Sequence, residues 1–325
     1  MWNKTLKQID QEKTPKTAVK LWGGEQDSIT LVSEGINLVY RFKKESQIFY
    51  LRLSHVKLQS VSELKAALYF QNHLVNQKIS VCKPILSLNN KLIESIFQGK
   101  HEFLGTVCRE VPGKPISFDL KDQQVYFTWG TVLAHLHKAS LSFKAKEHQY
   151  TSWKESVKEL KTYVHKEEGF IKKELDATSR FLQDIKQTRE NYGLTHGDHR
   201  KGNVFTDLKT VSVIDFDLPR NFFFAEDIIR PFFSSIASKD TNWQDKISHY
   251  LKGYTSIKTL SKEDIMMLPW LLRLKALEIY LWTKNNWTSD IAPGGLDTKK
   301  WLKDVYEMIK DQTWMSELDE TIIKI

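Results

Sequence analysis

Two acidic clusters hold the residues of this chain best suited to chemistry. The first is His196-Gly197-Asp198, with Asn203 five positions after the aspartate. The second is Asp215-Phe216-Asp217, which ends the apolar run Val211-Ser212-Val213-Ile214. A short loop can aim a carboxylate one way and an amide oxygen the other, and a returning strand then sets further carboxylates beside them. Phosphoryl transfer needs this combination. One carboxylate orients the attacking hydroxyl and takes its proton, and oxygen ligands hold magnesium on the phosphates. A polar β-hairpin using Asp, Asn and Gly as turn residues explains Gly202 and Asn203. It gives no reason for HGD, the D-x-x-x-x-N spacing and an acid-tipped apolar strand in one stretch.

The same spacing marks the kinase catalytic loop, with a strand-end aspartate following it. HGD-x4-N followed by IDFD resembles the aminoglycoside phosphotransferase and choline kinase superfamily, small-molecule relatives of protein kinases. Gly197, where protein kinases carry Arg, points to that branch. The resemblance implies a two-lobed, protein-kinase-like α+β fold. Residues 1–110 would form an antiparallel-sheet N-lobe with one helix, and residues 111–325 a mainly helical C-lobe. It implies ATP and Mg2+ as cofactors and transfer of the γ-phosphoryl group to a hydroxyl. Asp198 would act as base and Arg200 would steady the transferring group, while His196 fixes the loop by hydrogen bonds. Asn203 and Asp215 would hold the metal, with Asp217 assisting.

Stepping along the N-terminal part, β-branched and aromatic runs at 28–32, 38–42 and 48–53 predict an antiparallel meander. Gly35 and Asn37 lie in the first turn, where the resemblance places the cover over the ATP phosphates; Gly35 alone also reads as a hairpin turn. Arg52 is a cation on an apolar strand and needs an anion partner if buried; the competing reading is an edge residue facing solvent. A helix is expected over 60–78, capped by Ser60 or Ser62, with Leu64, Leu68 and Leu74 on its apolar face. Ala67 stands where the resemblance calls for a Glu paired with Arg52. Glu63, one turn earlier, either reaches Arg52 or is a first-turn acid favoured by the helix dipole. Residues 79–85 lead into a fourth strand, and runs at 91–97 and 101–110 follow. Val107, Cys108 and Arg109 would then form a hinge offering backbone groups to an adenine edge, before the turn at 111–115.

A helix over 126–139 carries Gly130-x-x-Leu133-Ala134-x-Leu136-His137, shared with the family, and His137 reads as a core residue. One long charged helix is expected over 153–189. Asp227 matches the family's brace for the catalytic loop, or is an ordinary first-turn acid. Final helices at 266–284 and 299–309 carry Trp270, Tyr280, Trp282 and Trp287, either core aromatics or the lining of an acceptor pocket. Glu226, Asp227 and Glu278 are the acids available for a polycationic acceptor.

Composition bounds the rest. The 325 residues are 41% hydrophobic and 27% charged, as in ordinary globular proteins, and no run of 18 apolar residues predicts a membrane span. The first residues, MWNKTLKQIDQEKTPKT, are polar and carry acids, unlike a signal peptide. Cys82 and Cys108 give neither a disulfide framework nor metal spacing, which fits the cytoplasm. The net charge of +8 suits an anionic partner, but acids and bases are mixed along 153–189 and no nucleic-acid motif is present. The expectation is a cytoplasmic kinase of small-molecule hydroxyls. The competing readings are a Ser/Thr protein kinase of the same branch and a non-catalytic nucleotide-binding module.

Overall fold

A computed structural model describes residues 9–117, 121–146, 148–165, 168–237, 242–292, 296–311, 313–314 and 318. Residues 1–8 lie outside them. The chain divides into two units. One runs to Val111 and includes Ala145–Gln149; the other takes Pro112–Lys144 and the chain from Tyr150.

Alternating side chains make the first unit a sheet. β1 (Glu25–Glu34), β2 (Leu38–Lys44) and β3 (Gln47–His55) form the antiparallel meander. β6 (His101–Arg109) joins β3, and β4 (Pro84–Ile85) and β5 (Glu94–Gln98) both pair with β6. Every second residue of a strand faces one side. Leu38, Tyr40 and Phe42 of β2 and Phe49, Leu51 and Leu53 of β3 are buried with Ala18, Val19 and Trp22 from the helix Lys13–Lys20 and its end. A separate cluster joins Leu64 and Leu68 of the helix Val61–Asn76 to Leu104. Ser60 caps that helix.

In the second unit the helix Gln123–Ser140 lies along the helix Trp243–Thr255. Two glycines permit the approach: a Cβ on Gly130 would collide with the Tyr250 carbonyl, and one on Gly253 with the Phe127 carbonyl. The single helix expected over 153–189 is two helices, Trp153–Tyr163 and Gly169–Asp184. Val164 is extended, and the Glu168 carboxylate accepts from the His165 N–H at 3.1 Å. Helices Lys262–Asn286 and Thr298–Lys310 close the unit. Trp270, Tyr280, Trp282 and Trp287 are all half-buried. Short strands carry the acidic stretch: β8 (Tyr192–Thr195) pairs with β11 (Arg220–Phe223), and β9 (Val204–Thr206) lies between β7 (Lys114–Pro115) and β10 (Val211–Val213). Among the described residues, no helix is long and apolar enough to cross a membrane.

Candidate active site

The catalytic loop is the link between β8 and β9. It passes through Asp198 and closes with a 3-10 turn, Lys201–Asn203. β10 returns antiparallel to β9, with Val213 opposite Val204. The Ile214 N–H donates to the Asn203 carbonyl at 2.9 Å, which presents Asp215 beside Asn203. Two residues take left-handed backbone. Gly197 has φ +80°, and a Cβ there would strike the Leu218 carbonyl; Asp215 has φ +67°. A non-glycine residue in that region stores strain, a feature that clusters at functional sites.

Asp198 is the hub. Its Oδ2 accepts from Asn203 Nδ2 at 3.2 Å and from Arg200 Nε at 3.0 Å, and its Oδ1 accepts from Arg230 Nη2 at 3.1 Å. Burial opposes its ionisation, but the charges of Arg230, Lys275 and Arg200 outweigh that and hold its carboxyl below the usual range. Asn203, almost fully buried, also donates to the Asp198 carbonyl at 3.0 Å. Its amide nitrogen is thus spent on Asp198, which leaves its amide oxygen as the cation-binding end.

Below the loop, Asp227 is fully buried. It accepts from the His196 N–H at 2.6 Å and the Gly197 N–H at 3.0 Å. His137 Nε2 lies 3.3 Å from Asp227 Oδ2, while its Nδ1 lies 2.8 Å from the Tyr254 hydroxyl. Burial pushes His137 down and keeps it neutral, so Nε2–H donates to Asp227 and Nδ1 accepts from Tyr254. Burial alone would raise the Asp227 carboxyl, but the His137 hydrogen bond and the surrounding imidazoles hold it well below the usual range. The brace expected of Asp227 is therefore present, and His137 is both core and part of the brace. His196 uses both ring nitrogens. The Asp198 N–H donates to its Nδ1 at 3.2 Å, and its Nε2–H reaches the Ile214 carbonyl at 2.9 Å, tying the loop to the start of Asp215-Phe216-Asp217. His199 is fully buried, accepts from Trp129 Nε1 at 2.7 Å, and is pushed by burial down to about 3.

The sequence reading missed three cations beside this loop. Arg230 follows the helix Phe224–Ile229 and sits over the Phe233 ring. Arg220, opposite Thr195 in the β8–β11 pair, donates to Glu226 and to Glu278, each at 2.9 Å. Lys275 donates to Glu278 at 2.7 Å. Burial and the neighbouring Asp227 raise Glu226 to about 7 in spite of Arg220, whereas the charges of Arg220 and Lys275 hold Glu278 well below the usual range against its burial. The argument applied to Arg52, that a cation in an apolar run needs an anion, applies equally to Arg220 and Arg230 within RNFFFAEDIIRPFF. The three acids proposed for a polycation are all engaged inside the protein.

In the first unit, Arg52 and Asn37 come together. Asn37 lies 2.6 Å from Ser54 Oγ; with its amide oxygen turned to Arg52, that oxygen accepts from Nε at 3.1 Å and also from Nη2. Gly35 stands in the β1–β2 turn with open space around it. Two expectations need correction. Glu63 does not serve as the acid for Arg52. It is the exposed third residue of a capping box, and its carboxylate accepts from Ser60 N–H at 2.8 Å and Ser60 Oγ at 2.7 Å. Serine at the cap and glutamate three residues on satisfy each other's donors locally. Ala67 is buried. Val107, Cys108 and Arg109 are not an open hinge edge but lie inside β6. Leu51 and Ile85 flank Val107, Tyr50 and Pro84 flank Cys108, and Arg109 N–H donates to the Lys83 carbonyl at 2.9 Å.

Of the four late aromatics, Tyr280 lines a cavity. That space, about 400 Å3, also meets Phe170 and Tyr306, with Glu168 and Lys284 at its wall, and no catalytic-loop residue borders it.

The chain is similar to known proteins in sequence and in fold. Residues 28–256, more than half the chain, match the model of the family described as "Phosphotransferase enzyme family". The amicoumacin kinase of Bacillus subtilis (strain 168) is 25% identical over 290 residues, covering 86% of each chain. The homoserine kinase of Sinorhizobium medicae (strain WSM419) is 26% identical over 288 residues, covering 85% of this chain and 84% of that one. The solved structure of the amicoumacin kinase hAmiN, in complex with AMP-PNP, Ca2+ and Ami, superposes with a TM-score of 0.84 at 22% identity, covering 96% of this chain and 97% of that one. The chain belongs to the phosphotransferase enzyme family: it is a kinase that moves a phosphoryl group from ATP to a hydroxyl of a small molecule.

Proposed function

We propose that Asp198 is the base of this kinase, and that the second unit supplies the chemistry while residues of the first cover the nucleotide. The observation that carries the reading is Asp198 locked by Asn203 in a loop whose returning strand sets Asp215 alongside. Asp198, kept ionised by Arg230, Lys275 and Arg200, orients the acceptor hydroxyl and takes its proton. Arg200, half-exposed and tethered to Asp198 through Nε, turns its guanidinium to the transferring group. Arg52, aligned by Asn37, serves the donor phosphates bidentately.

Mg2+ suits the residues present. This ion takes one or two carboxylates and completes its shell with phosphates and water, so no all-protein cage is required. Among the described residues, no cluster of three or more His, Cys, Asp or Glu side chains forms such a cage. Asn203 and Asp215 offer hard oxygens, with Asp217 two residues on as support. When bound, the ion neutralises charge developing on the transferred phosphoryl group. The relative solved with AMP-PNP and Ca2+ supports a nucleotide with a divalent cation. Relatives named for amicoumacin and homoserine support a small acceptor rather than a protein, and a cytoplasmic setting fits the use of ATP.

The test is Asp198→Ala. Loss of a positioned base lowers kcat by roughly 10²–10⁴, while ATP binding, read by nucleotide titration, stays within about threefold because Asp198 holds neither phosphate nor metal. Full turnover by this variant refutes the assignment.

A further inference from the structure

We propose that the acceptor carries a carboxylate or similar anion close to its reacting hydroxyl, and that Arg230 and Lys275 seat it. This rests on the phosphotransfer reading above and adds the acceptor's charge class. Arg230 is 13% exposed; it spends Nη2 on Asp198, and its buried Nε finds no partner among the described residues. Lys275 is 11% exposed and spends one donor on Glu278. A guanidinium offers five donors and an ammonium three, so both cations retain donors next to the base. Burying cations with unused donors is costly unless an anion completes them.

The acids point the same way. Glu226 and Glu278, the groups that would hold an ammonium, are already held by Arg220, and Glu278 also by Lys275. Asp227 faces the loop backbone. Glu226 and Glu278 are thus matched inside the protein and leave little to hold a polyamine, whereas Arg230 and Lys275 keep donors for a carboxylate. A planar guanidinium fixes a carboxylate by two parallel hydrogen bonds, which would hold the hydroxyl of a short hydroxy acid near Asp198.

The experiment uses the full chain with Mg-ATP and five acceptors: 4-hydroxybutyrate, homoserine, 3-aminopropan-1-ol, butane-1,4-diol and kanamycin. Release of ADP and the phosphorylated product are both measured. The expected result is kcat/KM at least ~10-fold higher for the two carboxylates than for the others, the scale on which a site built for a polar group rejects an analogue lacking it. In Arg230→Gln and Lys275→Gln, the ratio of homoserine to butanediol turnover falls about 10-fold or more. In Arg230→Lys, which keeps the charge and guards against a folding failure, it falls less. A variant that slows both acceptors equally shows Arg230 to be only a support for Asp198 and overturns the proposal. Turnover confined to the amine, the diol or kanamycin overturns the charge assignment and leaves the phosphotransfer reading standing. Silence across all five, in protein that binds ATP, overturns both.

Discussion

Replacing Asp227 should damage both the fold and the chemistry, although its side chain lies beneath the catalytic loop. In Asp227→Ala two buried backbone N–H groups, those of His196 and Gly197, lose an ionised acceptor at 2.6 and 3.0 Å, and His137 loses its contact at 3.3 Å. A hydrogen bond to a charged group contributes about 1.5–3 kcal/mol, and an orphaned buried donor costs about 1–3 kcal/mol. Two such bonds, discounted for an entering water, place the loss of stability at about 4 kcal/mol. Asp227→Asn keeps one oxygen but turns an amide N–H₂ toward a backbone donor or His137, so it should cost about half as much. The freed donors belong to the two residues before Asp198, and a shift of about 1 Å at a reacting group costs about 10²-fold in rate. Urea unfolding followed by the buried Trp129, together with kcat under saturating ATP, measures both effects. If Asp227→Ala unfolds within 1 kcal/mol of wild type and turns over within threefold, the loop does not hang on this carboxylate and the reasoning fails.

Three other outcomes follow from the same structure. Glu63→Ala should lower stability by about 0.5–1 kcal/mol through the lost capping box and leave KM for ATP unchanged; a several-fold rise in that KM would restore Glu63 as the partner of Arg52. Gly130→Ala drives a methyl into the Tyr250 carbonyl and should cost about 1–3 kcal/mol, the usual penalty of overpacking, read as a lower thermal midpoint; an unchanged midpoint would mean that the helices part freely. His199 titrates near 3 when folded and near 6.5 when unfolded. The unfolded chain alone binds that proton below about 6.5, so stability is full above that pH and falls as the pH drops, by about 1.4 kcal/mol per unit. Glu226, raised to about 7, acts in the opposite sense: its folded form keeps a proton that the unfolded chain releases, so its contribution falls as pH rises through about 4.5–7. Urea midpoints between pH 7.5 and 5 should therefore drop more steeply in Glu226→Gln than in wild type, and equal slopes would remove Glu226 from the account.

What could be read from the sequence was whatever acts over a few neighbouring residues. The D-x-x-x-x-N turn, the apolar strand ending in Asp215, the Ser60 cap and the apolar face of Leu64, Leu68 and Leu74 are all set by spacing along one element. The glycine of G-x-x-L-A-x-L-H was seen, but its reason, contact with Tyr250, lies about 120 residues away in the chain and no local pattern announces it. Arg220, Arg230 and Lys275 were overlooked for the same reason: each becomes significant only when β11, the turn after Phe224–Ile229 and the helix Lys262–Asn286 bring it to Asp198 or Glu278. The break between Trp153–Tyr163 and Gly169–Asp184 was missed because charged residues of good helix propensity run across it, and the extended Val164 and the contact of Glu168 with the His165 N–H have no local sequence signal. Glu63 shows the converse, a local motif that outranks a role expected from resemblance.

The loop's own sequence does not hold it in place. Asp198 is 22% exposed and has four charged or amide groups drawn to it, which leaves it free to follow them unless the backbone is fixed from below. Asp227 fixes the backbone on one side and the His196 imidazole on the other, so the position of the base is set by groups that never touch substrate. Arg230 is different, because it reaches Asp198 with one nitrogen and has donors left for a ligand. An anion bound there would draw on the guanidinium that now stabilises the carboxylate, making Asp198 a stronger base as the acceptor arrives. Occupancy of the acceptor site and basicity of the catalytic group would then be linked through one side chain, which is why the charge preference and the rate should change together in Arg230→Lys.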